Sequence, residues 1–144
     1  MRVLIVEDEP TLGQQLKSTL EGIGYAVDLS TDGEDGHFMG STESYDAIIL
    51  DPPKFGRGTK NETWRFEEDL PGLLDGVAEL LVEDPLFVVL TAYAVRLSHI
   101  ALAQALGDRL EPFGGRIEMG EMALPEEKTG RMLPTSICAR WRAD

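Results

Sequence analysis

Glu7, Asp8 and Asp51 are the residues whose type and spacing could carry chemistry in this 144-residue chain. Glu7-Asp8-Glu9-Pro10 closes the aliphatic run Arg2 to Val6, and Asp51 closes Ala47 to Leu50. Both runs read as buried strands. The ends of a first and a third strand are neighbours in a doubly wound sheet, so these carboxylates converge at its carboxyl edge. Hard oxygen donors of this kind are the groups that bind hard cations. Against that stands a plain alternative: acidic residues after a strand are common loop residues, and a Glu-Asp pair alone is a weak signal.

The elements that must position them alternate. Arg2 to Val6 is a strand, and Pro10 suits the first turn of a helix whose Leu12, Leu16, Leu20 and Ile23 follow at near-helical spacing. Gly22 and Gly24 stop it. Tyr25 to Leu29 is a second strand, Asp32 to Met39 a short helix and Ala47 to Leu50 a third strand. This β-α-β-α-β order makes a parallel sheet with right-handed crossovers. Pro52 to Asn61, with two prolines and two glycines, reads as a loop. From Asp69, the residues Leu70, Leu73, Leu74, Val77, Leu80 and Leu81 give a helical period; Leu86 to Leu90 is a fourth strand and Leu97 to Leu106 a helix. Arg116 to Leu124 and Thr135 to Trp141 read as an antiparallel pair.

Composition bounds the function. The length suits one domain, and no apolar run approaches the ~20 residues that span a bilayer. A cytoplasmic protein is expected. The net charge is −13, from 13 basic and 26 acidic side chains. Residues 1–51 hold 2 Lys/Arg against 11 Asp/Glu, and the remainder 11 against 15. Such acidity argues against phosphate-mediated binding of nucleic acid, which needs a clustered basic face. The single Cys138 reads as an inert thiol in an apolar stretch. His37 and His99 have no partner at metal-ligand spacing. Trp64 and Phe66 read as core cover, and no phosphate-binding glycine loop or Ser-His-Asp set occurs.

Val3-Leu4-Ile5-Val6-Glu7-Asp8-Glu9-Pro10, with Asp51 at the matching distance, resembles the start of response-regulator receiver domains, especially those attached to winged-helix transcription factors. The resemblance implies that Glu7, Asp8 and Asp51 are vestigial Mg²⁺ ligands, that Asp51 is the phosphoryl acceptor and that Thr91, in Val88-Val89-Leu90-Thr91-Ala92, is the switch hydroxyl. The receiver's lysine is missing. Glu111-Pro112-Phe113 puts a carboxylate where its Lys-Pro-Phe would be, and a carboxylate repels an incoming phosphoryl group.

Asp51-Pro52-Pro53-Lys54-Phe55 followed by Gly56-Arg57-Gly58 resembles the Asp-Pro-Pro motif of S-adenosylmethionine methyltransferases that modify amino groups and RNA. The resemblance continues through Leu90-Thr91-Ala92-Tyr93-Ala94, Gly120-Glu121 and Leu133-Pro134-Thr135-Ser136. It implies a Rossmann-like fold in which the motif lies beside the methyl donor. Such enzymes bind the donor with a glycine-rich turn after the first strand and an acid after the second. Here the first turn is Glu7-Asp8-Glu9-Pro10, and Asp32 alone remains after the second strand.

Together these readings predict one α/β domain over 1–144, a doubly wound three-layer sandwich built from a receiver-like segment 1–51 and a methyltransferase-like segment 51–144. Its six-stranded, mostly parallel sheet has the expected order 2-1-3-4-6-5, with strand 6 antiparallel. The expected function is that of an engineered fold chimera, not an enzyme, with no catalytic residues. The alternatives are a degenerate Mg²⁺-binding phospho-acceptor, or a methyltransferase disfavoured by its missing glycine loop. No cofactor beyond weak Mg²⁺, no partner, no nucleic acid and no membrane is expected, and the chain is expected to be a monomer.

Overall fold

The computed structural model describes residues 1–7, 9–31, 39–40, 42–58 and 62–144, without the side chain of Val6. Asp8, Asp32, His37 and nearly all of the expected helix Asp32 to Met39 lie outside these residues.

Eight strands and three helices are described, in the order β1 (Arg2–Val6), α1 (Pro10–Gly22), β2 (Ala26–Ser30), β3 (Ala47–Leu50), β4 (Phe55–Arg57), β5 (Thr63–Arg65), α2 (Phe66–Leu80), β6 (Phe87–Ala92), α3 (His99–Leu110), β7 (Arg116–Pro125) and β8 (Met132–Arg142). A single 3₁₀ turn, Glu111–Phe113, precedes β7. The main sheet runs β2-β1-β3-β6-β8-β7, and β4 pairs only with β5. β2, β1, β3 and β6 are mutually parallel, whereas β8 is antiparallel to both β6 and β7.

Two expectations are corrected here. Two of the five ladders in the main sheet are antiparallel, so the sheet is mixed rather than mostly parallel. The order expected as 2-1-3-4-6-5 becomes β2-β1-β3-β6-β8-β7 because the segment read as a loop holds a hairpin, which takes the fourth and fifth numbers. Thr63-Trp64-Arg65 is rich in strand formers, and its antiparallel partner Phe55-Gly56-Arg57 satisfies the backbone that the two prolines leave extended.

One side of the sheet carries α1, the other α2 and α3. The large core lies on the second side, where Leu4, Ile48, Leu50, Val88, Leu90, Ala139 and Trp141 meet Phe66, Leu70, Leu74 and Val77 of α2 and Leu102, Leu106 and Leu110 of α3. Helix α2 begins at Phe66 rather than Asp69 because Asp69 Oδ2 accepts a 2.6 Å hydrogen bond from Arg65 N and caps the first turn. Glu67, Glu68 and Asp69 also favour the positive end of the helix. Phe66 is fully buried, as its role in core cover required, and Trp64 is partly buried against the same cluster. Helix α3 starts at His99 because Ser98 caps it, accepting from Ala101 N at 3.2 Å.

Helix α1 is attached differently. Gly13 is its sole buried residue, and a Cβ there would stand 3.0 Å from a methyl of Leu29. The backbone therefore approaches β2 closely through a glycine. Leu12 and Leu16 are exposed, contrary to the buried stripe their spacing suggests.

Candidate functional site

The strand registers decide what meets at the carboxyl edge. Ile5 is opposite Ile49, Leu50 is opposite Leu90, and Thr91 is opposite Cys138. Continued past the strand ends, these ladders set Glu7 beside Asp51 and Asp51 beside Thr91, at the ~4.8 Å spacing of adjacent strands. Alternation along each strand puts this row on the side of Ile5, Ile49 and Val89, which is the side of α1.

Within the row, Thr91 Oγ1 donates to Asp51 Oδ1 at 2.6 Å and lies 3.3 Å from Leu50 O. Glu7 Oε1 accepts from Glu9 N at 3.0 Å. Glu9 caps α1, its carboxylate accepting from Leu12 N at 2.6 Å and Thr11 N at 3.1 Å. Those two backbone donors, Leu12 first, hold the Glu9 carboxyl below its usual range. Glu9 thus serves the helix, which leaves Glu7 and Asp51 as the described carboxylates of the edge.

Their chemistry fits Mg²⁺, a cation content with one or two protein carboxylates when phosphate and water complete its octahedron. No group of three or more His, Cys, Asp or Glu residues assembles a metal site among the described residues. Asp8 of the expected set lies outside them.

The motif Asp51-Pro52-Pro53-Lys54-Phe55 leaves the sheet directly into the β4–β5 hairpin. Pro53 O accepts from Trp64 Nε1 at 2.5 Å, and Lys54 O accepts from Phe66 N at 3.0 Å. The hairpin and the start of α2 therefore fix the path of the motif, while the Asp51, Lys54 and Phe55 side chains remain exposed. Sequence reasoning missed this fastening; Thr63-Trp64-Arg65 was the available signal.

Glu111 does not occupy a receiver lysine's place. It belongs to the 3₁₀ turn before β7, and β7 begins at Arg116, opposite Arg142, which in turn pairs with Phe87 at the start of β6. This is the amino edge of the sheet, opposite to Asp51. Cys138 is partly buried, and burial raises its thiol pKa. His99 is the partly buried first residue of α3.

No protein-family model matches the chain. A stretch of 51 residues resembles curated response regulators. Over that length it is 49% identical to the transcriptional activator protein IrlR of Burkholderia pseudomallei, covering 35% of this chain and 22% of the relative. It is 36% identical over 77 residues to the transcriptional regulatory protein QseB of Haemophilus influenzae, covering 51% and 35%. The chain thus spans only a fifth to a third of the relatives' length.

The solved structures point the other way. A SAM-dependent methyltransferase from Agrobacterium tumefaciens superposes with a TM-score of 0.77 at 29% identity, covering 98% of this chain and 49% of that one. A Streptococcus mutans protein described as a SAM-dependent methyltransferase superposes with a TM-score of 0.52 at 15% identity, covering 97% and 38%, a likeness of fold alone. The chain therefore has a two-part resemblance on a methyltransferase-like α/β fold. The expectation that it is not an enzyme is corrected by the first of these structural likenesses, which runs along nearly the whole chain. No helix among the described residues is long and apolar enough to cross a membrane.

Proposed function

We propose that the chain is a fold chimera, receiver-derived through Asp51 and methyltransferase-derived after it, whose carboxyl edge works as a degenerate receiver-type phospho-acceptor. The 2.6 Å bond between Asp51 and Thr91 supports this most directly, because it joins the acceptor of one segment to a hydroxyl supplied by the other. A seam inside a sheet, with no linker, favours deliberate recombination over natural fusion of whole domains. In this reading Asp51 attacks the phosphorus of a small donor such as acetyl phosphate, the bond to acetate breaks, and an aspartyl phosphate forms. Mg²⁺, held by Glu7 and Asp51, would neutralise charge on the transferred group. Thr91 gives up its bond to Asp51 and donates to the new phosphoryl oxygens.

The test is intact mass after incubation with acetyl phosphate and Mg²⁺. A gain of one phosphoryl group, abolished by Asp51→Asn and by chelation, supports the reading. An unchanged mass, or labelling that survives Asp51→Asn, overturns it.

The Agrobacterium likeness supports a second reading, a methyltransferase with Asp51 to Phe55 beside the donor. Its weakness is the turn Glu7-Asp8-Glu9-Pro10, whose sequence has no glycine to allow close backbone approach to a ligand. Saturable heat on titration with S-adenosylmethionine would favour it; a flat titration would remove it.

A further inference from the structure

Half of one sheet face is left open. Helix α1 rests on β1 and β2. Met39 and Gly40, at the end of the β2–β3 connection, pack on the α2 side, against the main core and Leu80. Among the described residues, no helix therefore covers β3, β6 and β8 on the α1 side. Burial agrees. Ile48, Val88 and Leu90, facing α2 and α3, are at most 1% exposed. Ile49, Phe87 and Val89, on the α1 side of the same central strands, are only partly buried.

The leucines of α1 face this gap. β2 lies on one side of β1 and β3 on the other, and a right-handed crossover fixes which flank of the helix turns to which strand. Gly13 points at the sheet. At about 100° per residue, Leu16 stands about 60° and Leu12 about 100° round from Gly13 on the flank towards β3. Lys17 stands about 40° round on the other flank, towards the free edge of β2. Leu12 and Leu16 are 43% and 40% exposed, so this wall of the gap is apolar and unfilled.

The opposite wall is basic. Val89 pairs with Arg140 and Phe87 with Arg142, and Arg142 pairs in turn with Arg116. Glu118 accepts from Arg140 and, at 3.2 Å, from Arg142. Arg116 has no carboxylate partner among the described residues. Three arginines thus gather round a single carboxylate, in a chain whose net charge is −13.

We propose that this face docks an amphipathic helix of another polypeptide, its apolar stripe on Ile49, Val89, Leu12 and Leu16 and its carboxylates over Arg140 and Arg142. Packed helices stand about 8–10 Å apart, which is about two strand spacings. A helix beside α1 therefore has its axis over β3 and β6 and its outer flank over β8. Arg140 and Arg142 are about 6.8 Å apart along their strand, close to the ~6 Å rise between residues i and i+4 of a helix. Parallel strands are stable when both faces are covered, and the arginines select an acidic occupant.

The test is a fluorescence anisotropy titration with a synthetic helix of about 18 residues, long enough to hold its fold. It carries leucines at i, i+3, i+4 and i+7, glutamates at i and i+4 on one flank, and alanine and glutamine elsewhere. Binding should saturate, and a twin peptide with lysines for the glutamates should bind at least about tenfold more weakly. Arg140→Glu with Arg142→Glu should invert that preference, and Leu16→Glu should weaken the acidic peptide at least about tenfold. Leu133→Lys, on the β7–β8 hairpin, should change nothing, and circular dichroism should show each variant folded. Absence of saturable binding, equal affinity for the two peptides, or a preference that the arginine substitutions leave in place would overturn the proposal. Cosedimentation with phosphatidylserine vesicles in the absence of peptide binding would assign the face to a lipid surface and overturn it as well.

Discussion

Tyr45 Oη donates a 3.2 Å hydrogen bond to Asp28 Oδ2, tying the approach to β3 to β2 across the intervening β1. The Tyr45 ring is fully buried, Arg2 Cζ stands 5.7 Å over it, and Arg2 Nε reaches the same Asp28 oxygen at 2.7 Å. Arg2 N donates to Asp46 Oδ2 at 2.6 Å. This network at the amino edge lies wholly within the receiver-like segment.

It gives the protein an alkaline limit. Burial, and after it the Asp28 charge, push the Tyr45 hydroxyl up from its ordinary 10.0 to about 12. A group whose pKa rises on folding contributes stability that is complete below its unfolded pKa and is lost as pH climbs through the folded value. Chemical denaturation between pH 9 and about pH 12 should show a progressive loss of stability that Tyr45→Phe flattens. Equal pH slopes in the two proteins would remove Tyr45 as the cause.

At the other edge, Mg²⁺ should stabilise the protein by binding the folded arrangement of Glu7 and Asp51 and not the unfolded chain. At saturating metal the gain should be about 1–3 kcal/mol, a rise of several degrees in Tm. Asp51→Asn should stabilise the metal-free protein, because it removes one of two neighbouring negative charges, and should abolish most of the Mg²⁺ response. Thermal melts of both proteins with and without metal decide the matter, and parallel responses would dismiss a cation site at Asp51.

The sequence was most legible where one physical signal dominated. The aliphatic runs at Val3, Ile48 and Val88 could only be buried strands, and the leucine period from Leu70 to Leu80 could only be a helix. What stayed hidden depended on contacts between distant segments. Trp64 finds Pro53 O eleven residues away, and that contact fixes a hairpin where two prolines and two glycines read as loop. Leu12 and Leu16 have helical spacing, but only Gly13 of α1 is buried, and both leucines stay exposed. Glu111-Pro112-Phe113 matched a motif in letters yet sits at the opposite edge of the sheet, because α3 carries the chain back before β7 begins. The Thr91–Asp51 contact was readable as two candidate residues, but only the β3–β6 register brings them together.

The two helical layers should therefore respond differently to truncation. Leu74 and Val77 of α2 are buried in the main core, so Leu74→Ala should destabilise by about 2–4 kcal/mol and Val77→Ala by about 1–3 kcal/mol. Leu16→Ala, on the exposed flank of α1, should cost less than about 1 kcal/mol. Urea titration measures all three. A Leu16→Ala cost equal to that of Leu74→Ala would mean that α1 is covered in solution.

Glycine supplies the sharpest local contrast. Gly115 has φ +74°, and an added Cβ would collide with the Arg142 carbonyl oxygen and stand 2.9 Å from Trp141 Cζ2. The neighbouring Gly114 O accepts from Trp141 Nε1 at 2.7 Å, so the turn cannot move away without breaking that bond and the edge contact between Phe113 and Trp141. Gly115→Ala combines an unfavourable backbone conformation with a clash against fully packed neighbours, and should cost about 2–4 kcal/mol. Gly76 is the opposite case: it lies inside α2 with ordinary helical backbone, and a Cβ there meets nothing within 4 Å. Gly76→Ala should stabilise by about 0.5–1 kcal/mol through the helix preference of alanine. Paired urea titrations should move the midpoint in opposite directions. If Gly115→Ala shifts it no further than a tenth of the expected loss, the packing of Trp141 against this turn does not hold the start of β7.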